Sequence, residues 1–279
     1  MRRFYKIFKL PNIFLTISVV SFILWLLFRG YYYQSFSKEK IDALFKPITS
    51  KYGIKIAYEI SDDFFSPLEN PPIPAGPPRY SKVKPIRHRV LIEYPTILQT
   101  ALEKYPVAVI KNYLNAIYFC GEIDANGFKF GGSYDPFRRI IYLVDNGCKN
   151  DDDAVSTFHH EFSSLLLKSH SFWVNPWTDH NPKNFKYLYD TTGDARKMYN
   201  STSLVGTHGD YEKGFMNSYG QTCFGNDFNE YSAMIFTYPK KFKKIMTQYP
   251  RVRGKFMVWL QYYKKIDPIF TERYLLGGR

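Results

Sequence analysis

The stretch from Val155 to Leu167 constrains this chain more than any other. At about 100° per residue, a helix through it places Val155, Phe158, Phe162, Leu165 and Leu166 on one arc and His160, Glu161 and Ser164 on the opposite one. The apolar arc must be buried. The polar arc therefore lies along the border between the core and something wetter, and whatever packs there must accommodate an imidazole, a carboxylate and a hydroxyl.

The first two polar residues open the pattern His-Glu-x-x-His. In that pattern two histidines at i and i+4 hold a zinc ion and the glutamate activates its bound water. In this chain the second histidine is replaced by Ser164, and a hydroxyl is a poor zinc ligand. His159 projects about 100° away from His160 and leans to the apolar arc, which suits a hydrogen-bonded core histidine. His170, His180 and His208 are the other candidates for a missing ligand. Lys168, one turn beyond Ser164, either neutralises a carboxylate of the site or projects into solvent.

The N-terminus carries a membrane signal. Arg2, Arg3, Lys6 and Lys9 precede an apolar run from Ile13 to Phe28, and Tyr31 to Tyr33 follow as an interfacial aromatic cluster. With those tyrosines the run approaches the roughly 20 residues that span a bilayer. The expected organisation is an N-terminal transmembrane anchor over residues 1–34 and one extracytoplasmic domain over 35–279, in a bacterial periplasm or at a cell surface. A cleaved signal peptide is the other reading of the same run. A formal charge of +13 suits a membrane-facing or solvated basic surface, and the scarcity of Lys/Arg runs among 19% aromatic residues argues against a nucleic-acid partner. The three cysteines, Cys120, Cys148 and Cys223, make no Cys-x-x-Cys pair. One disulfide fits an oxidising compartment, with Cys120–Cys148 the most plausible pair by position.

Between anchor and pivotal helix, Ser37 to Lys51 has the apolar spacing of a helix and Ile54 to Ile60 alternates as a strand. Seven prolines between residues 64 and 87 predict an irregular excursion. The spacing predicts a helix over Thr96 to Leu114, with Pro106 opposing it. Ala116 to Cys120, Phe128 to Phe130 and Ile140 to Val144 then read as a small, mostly antiparallel sheet. Asp151 to Asp153 complement the dipole at a helix start. After Pro239 the pattern predicts a packed pair of helices with a basic outer face.

The ordered combination of Gly131-Gly132-Ser133-Tyr134, Ile140-Ile141-Tyr142-Leu143, Phe158-His159-His160-Glu161-Phe162 and Asn229-Glu230-Tyr231-Ser232-Ala233 resembles the zinc-binding metallopeptidases of the gluzincin kind. The resemblance covers roughly Ile41 to Tyr238. It implies an α+β, zincin-like fold: a small mixed sheet with an edge strand beside an active-site helix, then a mostly helical C-terminal part. It implies Zn²⁺ held by His160, Glu230 and the position of Ser164, with Glu161 as the catalytic base and an extended peptide or protein substrate along the edge strand. Tyr219, just before the second helix, either donates to a tetrahedral oxyanion or packs in the core. Glu230, three residues after Asp227, is either a ligand or half of a capping arrangement at its own helix start. Two functional classes follow: a membrane-anchored zinc peptidase, or a catalytically inactive relative that keeps the peptide groove as a binding or scaffolding module.

The charge asymmetry around the apolar run makes one expectation directly testable. Protease added to intact spheroplasts should digest residues 35–279, and protection of that segment would overturn the outward orientation.

Overall fold

The computed structural model describes residues 20–22, 24–25, 37–61, 82–125, 128–145, 151–188 and 203–277. Most of the expected anchor, most of the proline-rich excursion and Cys148 with its pairing lie outside the described residues. No helix among the described residues is long and apolar enough to cross a membrane.

The domain begins with helix α1, Lys38–Tyr52, which buries Ile41, Phe45, Ile48 and Tyr52 at helical spacing and ends on Gly53 in the left-handed region at φ 68°. Strand β1, Lys55–Ala57, follows, and β2, Lys82–Lys84, comes after the excursion. Helix α2, His88–Leu91, comes next, and helices α3, Tyr94–Leu102, and α4, Val107–Tyr113, occupy the segment expected to hold one helix. Pro106 sits as the N-cap of α4 with ψ 142°, and its missing N–H and its restriction on Tyr105 divide the segment.

The strands β3, Ala116–Cys120, β4, Glu122–Ala125, β5, Phe128–Lys129, β6, Gly132–Asp135, and β7, Ile140–Val144, form two sheets with β1 and β2. The larger has the order β1-β3-β7-β6, and the smaller β2-β4-β5. In the larger sheet β1 with β3 and β3 with β7 are parallel, and only β6 with β7 is antiparallel. This corrects the mostly antiparallel expectation, while the sheet is mixed as expected. Helices α2 to α4 cross from β1 to β3, which permits parallel pairing. Every residue of β3 and β7 is buried, as strands covered on both faces must be.

Helix α5, Asp151–Ser169, packs against β6 and β7 on one side and against α8, Phe224–Thr237, on another. Its apolar arc is in the expected register: Phe158, Phe162, Leu165 and Leu166 are 0–1% exposed. Burying each contributes roughly 1.5–3 kcal/mol. Between α5 and α8 come α6, Asn175–Thr178, α7, His208–Lys213, and a 3-10 turn at Tyr219–Gln221. Helices α9, Pro239–Gln248, α10, Pro250–Ile266, and α11, Glu272–Leu276, close the C-terminal half. Their rings Phe242, Phe256, Trp259 and Tyr263, with Phe270 between the last two helices, join one continuous core with α1 and the large sheet.

One charge of this half is not on the basic outer face. Lys255 Nζ, at 0% exposure, lies 2.6 Å from Asp227 Oδ2 in α8. Trp177 Nε1 (2.8 Å) and the Tyr187 hydroxyl (2.7 Å) donate to the same oxygen. The ammonium also stands over the rings of Phe215 and Trp177. Burial raises the Asp227 carboxyl and lowers the Lys255 ammonium, and each charge opposes the shift of the other. Lys255→Met should cost about 3–5 kcal/mol in urea unfolding because it strands a buried carboxylate. Adding Asp227→Asn should recover most of that, since a neutral amide oxygen still accepts from Trp177 and Tyr187.

Candidate functional site

The polar arc of α5 faces the second and third turns of α8, and three polar contacts join the two helices. Ser163 Oγ meets Ser232 Oγ at 2.8 Å, His160 Nδ1 meets Glu230 Oε1 at 2.9 Å, and Asn229 Nδ2 donates to Ser164 Oγ at 2.6 Å. Helix α8 begins at Phe224 with Cys223 as its N-cap, so Glu230 lies in the helix interior. The capping reading is thereby corrected: Asp227 is not a cap but the buried partner of Lys255.

Glu230 is fully engaged. His160 takes one carboxylate oxygen, and Asn217 Nδ2, from the loop before the 3-10 turn, donates to the other at 2.5 Å. With a carboxylate as acceptor, the imidazole carries its proton on Nδ1. Burial lowers the His160 imidazole, but the hydrogen bond to Glu230 and the charges of Glu161 and Glu230 outweigh it, so its pKa is raised. Ser164 Oγ accepts from Asn229 and donates to the His160 carbonyl at 3.3 Å.

Glu161 is 9% exposed. Its carboxyl is pushed up to about 7, first by burial, with the His160 charge opposing and the Glu230 charge adding. It lies against the edge strand: a Cβ added to Gly132 would sit 3.1 Å from Glu161 Oε1 and 2.5 Å from Thr157 Cγ2. Only glycine lets β6 approach α5 so closely. Tyr134 of β6 and Tyr219 of the 3-10 turn face the same region. Burial raises both hydroxyls, and the Glu161 charge adds to each. The Tyr219 ring lies 6.0 Å from the His160 ring, tilted by 35°.

The structure thus brings together His160, Glu161, Ser164, Tyr219 and Glu230. The edge strand nearest them is β6, one strand outward of Ile140–Val144. The other histidines are elsewhere. His159 is fully buried, with Nδ1 2.9 Å from the Tyr105 hydroxyl, and burial lowers its pKa well below the ordinary value. The His170 ring packs on Tyr113 and Tyr262, the His180 ring against Gly254, and His208 Nδ1 contacts the Tyr249 hydroxyl. Lys168 is exposed.

This donor set does not fit a catalytic zinc. Among the described residues no group of three His, Cys, Asp or Glu side chains converges on a point. The Nδ1 of His160 is turned to Glu230, so its free Nε2 faces away from the carboxylate that would be its fellow ligand. Both Glu230 oxygens and the Ser164 hydroxyl are committed to protein donors. The residue types that alter the site, Asn229 and Asn217, carry no sequence signal on their own. Asn229 next to Glu230, coinciding with serine at the second histidine's position, is the one visible hint.

No family model matches the chain, and no curated protein matches it. Among solved structures, the crystal structure of a putative zinc-binding metallo-peptidase from Bacteroides caccae is similar over 85% of this chain and 93% of that one, with TM-score 0.51 and 16% identity. At that identity the likeness concerns the fold: a mixed α+β domain with a small sheet and a mostly helical C-terminal part.

A buried carboxyl whose pKa is raised stabilises the fold below its ordinary value of 4.5, and that contribution is lost as pH rises through about 7. Glu161→Gln should therefore stabilise the protein by about 1–3 kcal/mol at pH 8 and by little at pH 4, read by urea titration at the two pH values. Equal effects at both would show that the carboxyl is not desolvated.

Proposed function

We propose that this chain is a peptide-binding protein of the cell envelope, built on a metallopeptidase-like fold whose histidine–glutamate site has become a hydrogen-bonded seam. One observation carries the reading. The hydroxyl at the second histidine's position and the downstream carboxylate each accept from an asparagine amide, at 2.6 Å and 2.5 Å. An amide N–H₂ is a donor where a metal would have to stand, so the site is organised around protein donors and not around a cation.

The groove of this reading is the open edge of β6. Strand β6 pairs with β7 on one side only, and among the described residues no strand lies on its outer side. An extended segment can add there as a further antiparallel strand, with backbone hydrogen bonds supplying affinity and alternate side chains supplying specificity. Gly132, Ser133 and Tyr134 are partly exposed along that edge, with Tyr219 and Glu161 forming the wall beside it. The basic N-terminal flank and apolar run support an anchor that leaves this groove outside the membrane.

The zinc-peptidase reading is the competitor, supported by the helix-borne His160–Glu161 pair and by the fold likeness. Metal analysis of the purified protein separates the two. The expected result is well under one zinc per chain and no peptide cleavage, with zinc uptake appearing only in Ser164→His combined with Asn229→Ala, which replaces the hydroxyl by an imidazole and removes its amide partner. About one zinc per natural chain, together with peptide cleavage abolished by Glu161→Gln, would overturn the proposal.

A further inference from the structure

We propose that helix α9, by its lysine face, docks the domain on an anionic phospholipid bilayer. This docking rests on the N-terminal anchor of the proposed function and not on the peptide edge, so the two readings fail separately.

The segment 239–266, which forms α9 and α10, carries Lys240, Lys241, Lys243, Lys244, Arg251, Arg253, Lys255, Lys264 and Lys265, and not one Asp or Glu. Lys255 is the buried partner of Asp227, and the others are exposed. In α9 the division is by face. Phe242, Ile245 and Met246 are buried in the core, while the opposite arc consists of Lys240, Lys241, Lys243 and Lys244 with Thr247 and Gln248. Among the described residues no carboxylate lies within ion-pairing distance of these four lysines. The acids of adjoining elements, Asp152 and Asp153 beside Tyr238 and Glu272 at the start of α11, pair with none of them.

That face works against the helix that carries it. Lys240 and Lys241 stand in the first turn, where the helix dipole is positive. Lys240 with Lys243 and with Lys244, and Lys241 with Lys244, are like charges at i+3 and i+4 spacing. A merely solvated face would be served as well by glutamate at any of these positions, with a gain in helix stability. The complementary charge is therefore one that the chain itself does not provide.

Shape and tether select the partner. The lysines are spread over the convex outside of a ten-residue helix, about 15 Å long. A small anion is gripped from several sides, which a convex row cannot do, whereas a plane of anionic headgroups meets the whole row at once. The apolar side of α9 is already used in the core, so the contact is electrostatic and without insertion. The apolar run ends at Phe28 and α1 starts at Lys38, which limits the span between them to about 35 Å. A domain on so short a tether meets the bilayer surface at high effective concentration. Each lysine near an anionic leaflet then multiplies the docked population roughly fivefold.

The test uses the full-length protein in nanodiscs of phosphatidylcholine alone or of an equal mixture with phosphatidylglycerol, with brief lysine acetylation read by mass spectrometry. Labelling of the four α9 lysines should fall about threefold or more in the mixed discs and return in about 1 M salt, where the screening length is only about 3 Å. Lys82 of β2, which lies beyond the face of the large sheet opposite to the helices, should label equally in both. Lys243→Gln combined with Lys244→Gln, both exposed, should return Lys240 and Lys241 toward their neutral-disc labelling. Equal labelling of α9 in the two kinds of disc would overturn the proposal, as would protection that persists in high salt or in the double variant. Protection by a DNA duplex on neutral discs, with none from anionic lipid, would assign the face to nucleic acid and overturn it too. A chain that enters neither disc removes the anchor, and the docking with it.

Discussion

The contact on which the site depends is the seam between α5 and α8. Two helices of 19 and 14 residues meet there, and at three points a polar side chain of one finds a partner on the other. Such a seam is unforgiving. Each unpaired group would carry a desolvation penalty of about 1–3 kcal/mol, so the hydrogen bonds dictate both the rotation of α5 about its axis and its height against α8. The apolar arc of α5 supplies the attraction, and the seam supplies the register. Ser232 extends it, since Trp259 Nε1 donates to its hydroxyl at 2.8 Å and the Tyr263 hydroxyl lies 3.2 Å away, tying α10 to the same line.

The start of α8 is held from the other side by Asp227 and Lys255. Asp227 sits three residues before Glu230, and its remaining donors come from Trp177, whose ring also packs on Phe224, Phe228 and Tyr231 of the helix, and from Tyr187. Asn217 reaches Glu230 because its own Oδ1 accepts from the Gly220 backbone N–H at 3.0 Å, which shapes the loop ahead of the 3-10 turn. The position of the site carboxylate is thus determined by four segments that lie apart in the chain.

This explains what could be read in the amino-acid order and what could not. The periodicity of Val155 to Leu167 was enough to orient α5, to send His159 into the core and His160 toward the cleft, because helical geometry alone settles side-chain direction within one element. The strand runs Ala116–Cys120 and Ile140–Val144 were equally visible, being short, apolar and β-branched. Their parallel pairing was not, since it depends on which helices cross between them. Lys255 lies in a run that looks solvated, and nothing local marks it as buried opposite Asp227. Asn217 and Asn229 lie outside any periodic signal, and their effect on Ser164 and Glu230 appears only once α5 and α8 are in contact.

A zinc ion in a peptidase site joins helices as well as doing chemistry, because its ligands come from more than one element. In this chain that joining is carried by hydroxyls, an asparagine amide and the His160–Glu230 hydrogen bond, which need no exogenous ion to close the interface. The exchange has an electrostatic consequence. With amide and imidazole donors satisfying Glu230, the His160 charge only partly offsets the burial of Glu161, whose carboxyl is raised. A buried carboxyl that lowers stability at neutral pH is the kind of local conflict that folded proteins retain where function uses it. The packing of α5 and α8 does not need Glu161, which lies instead against Gly132 of the edge strand.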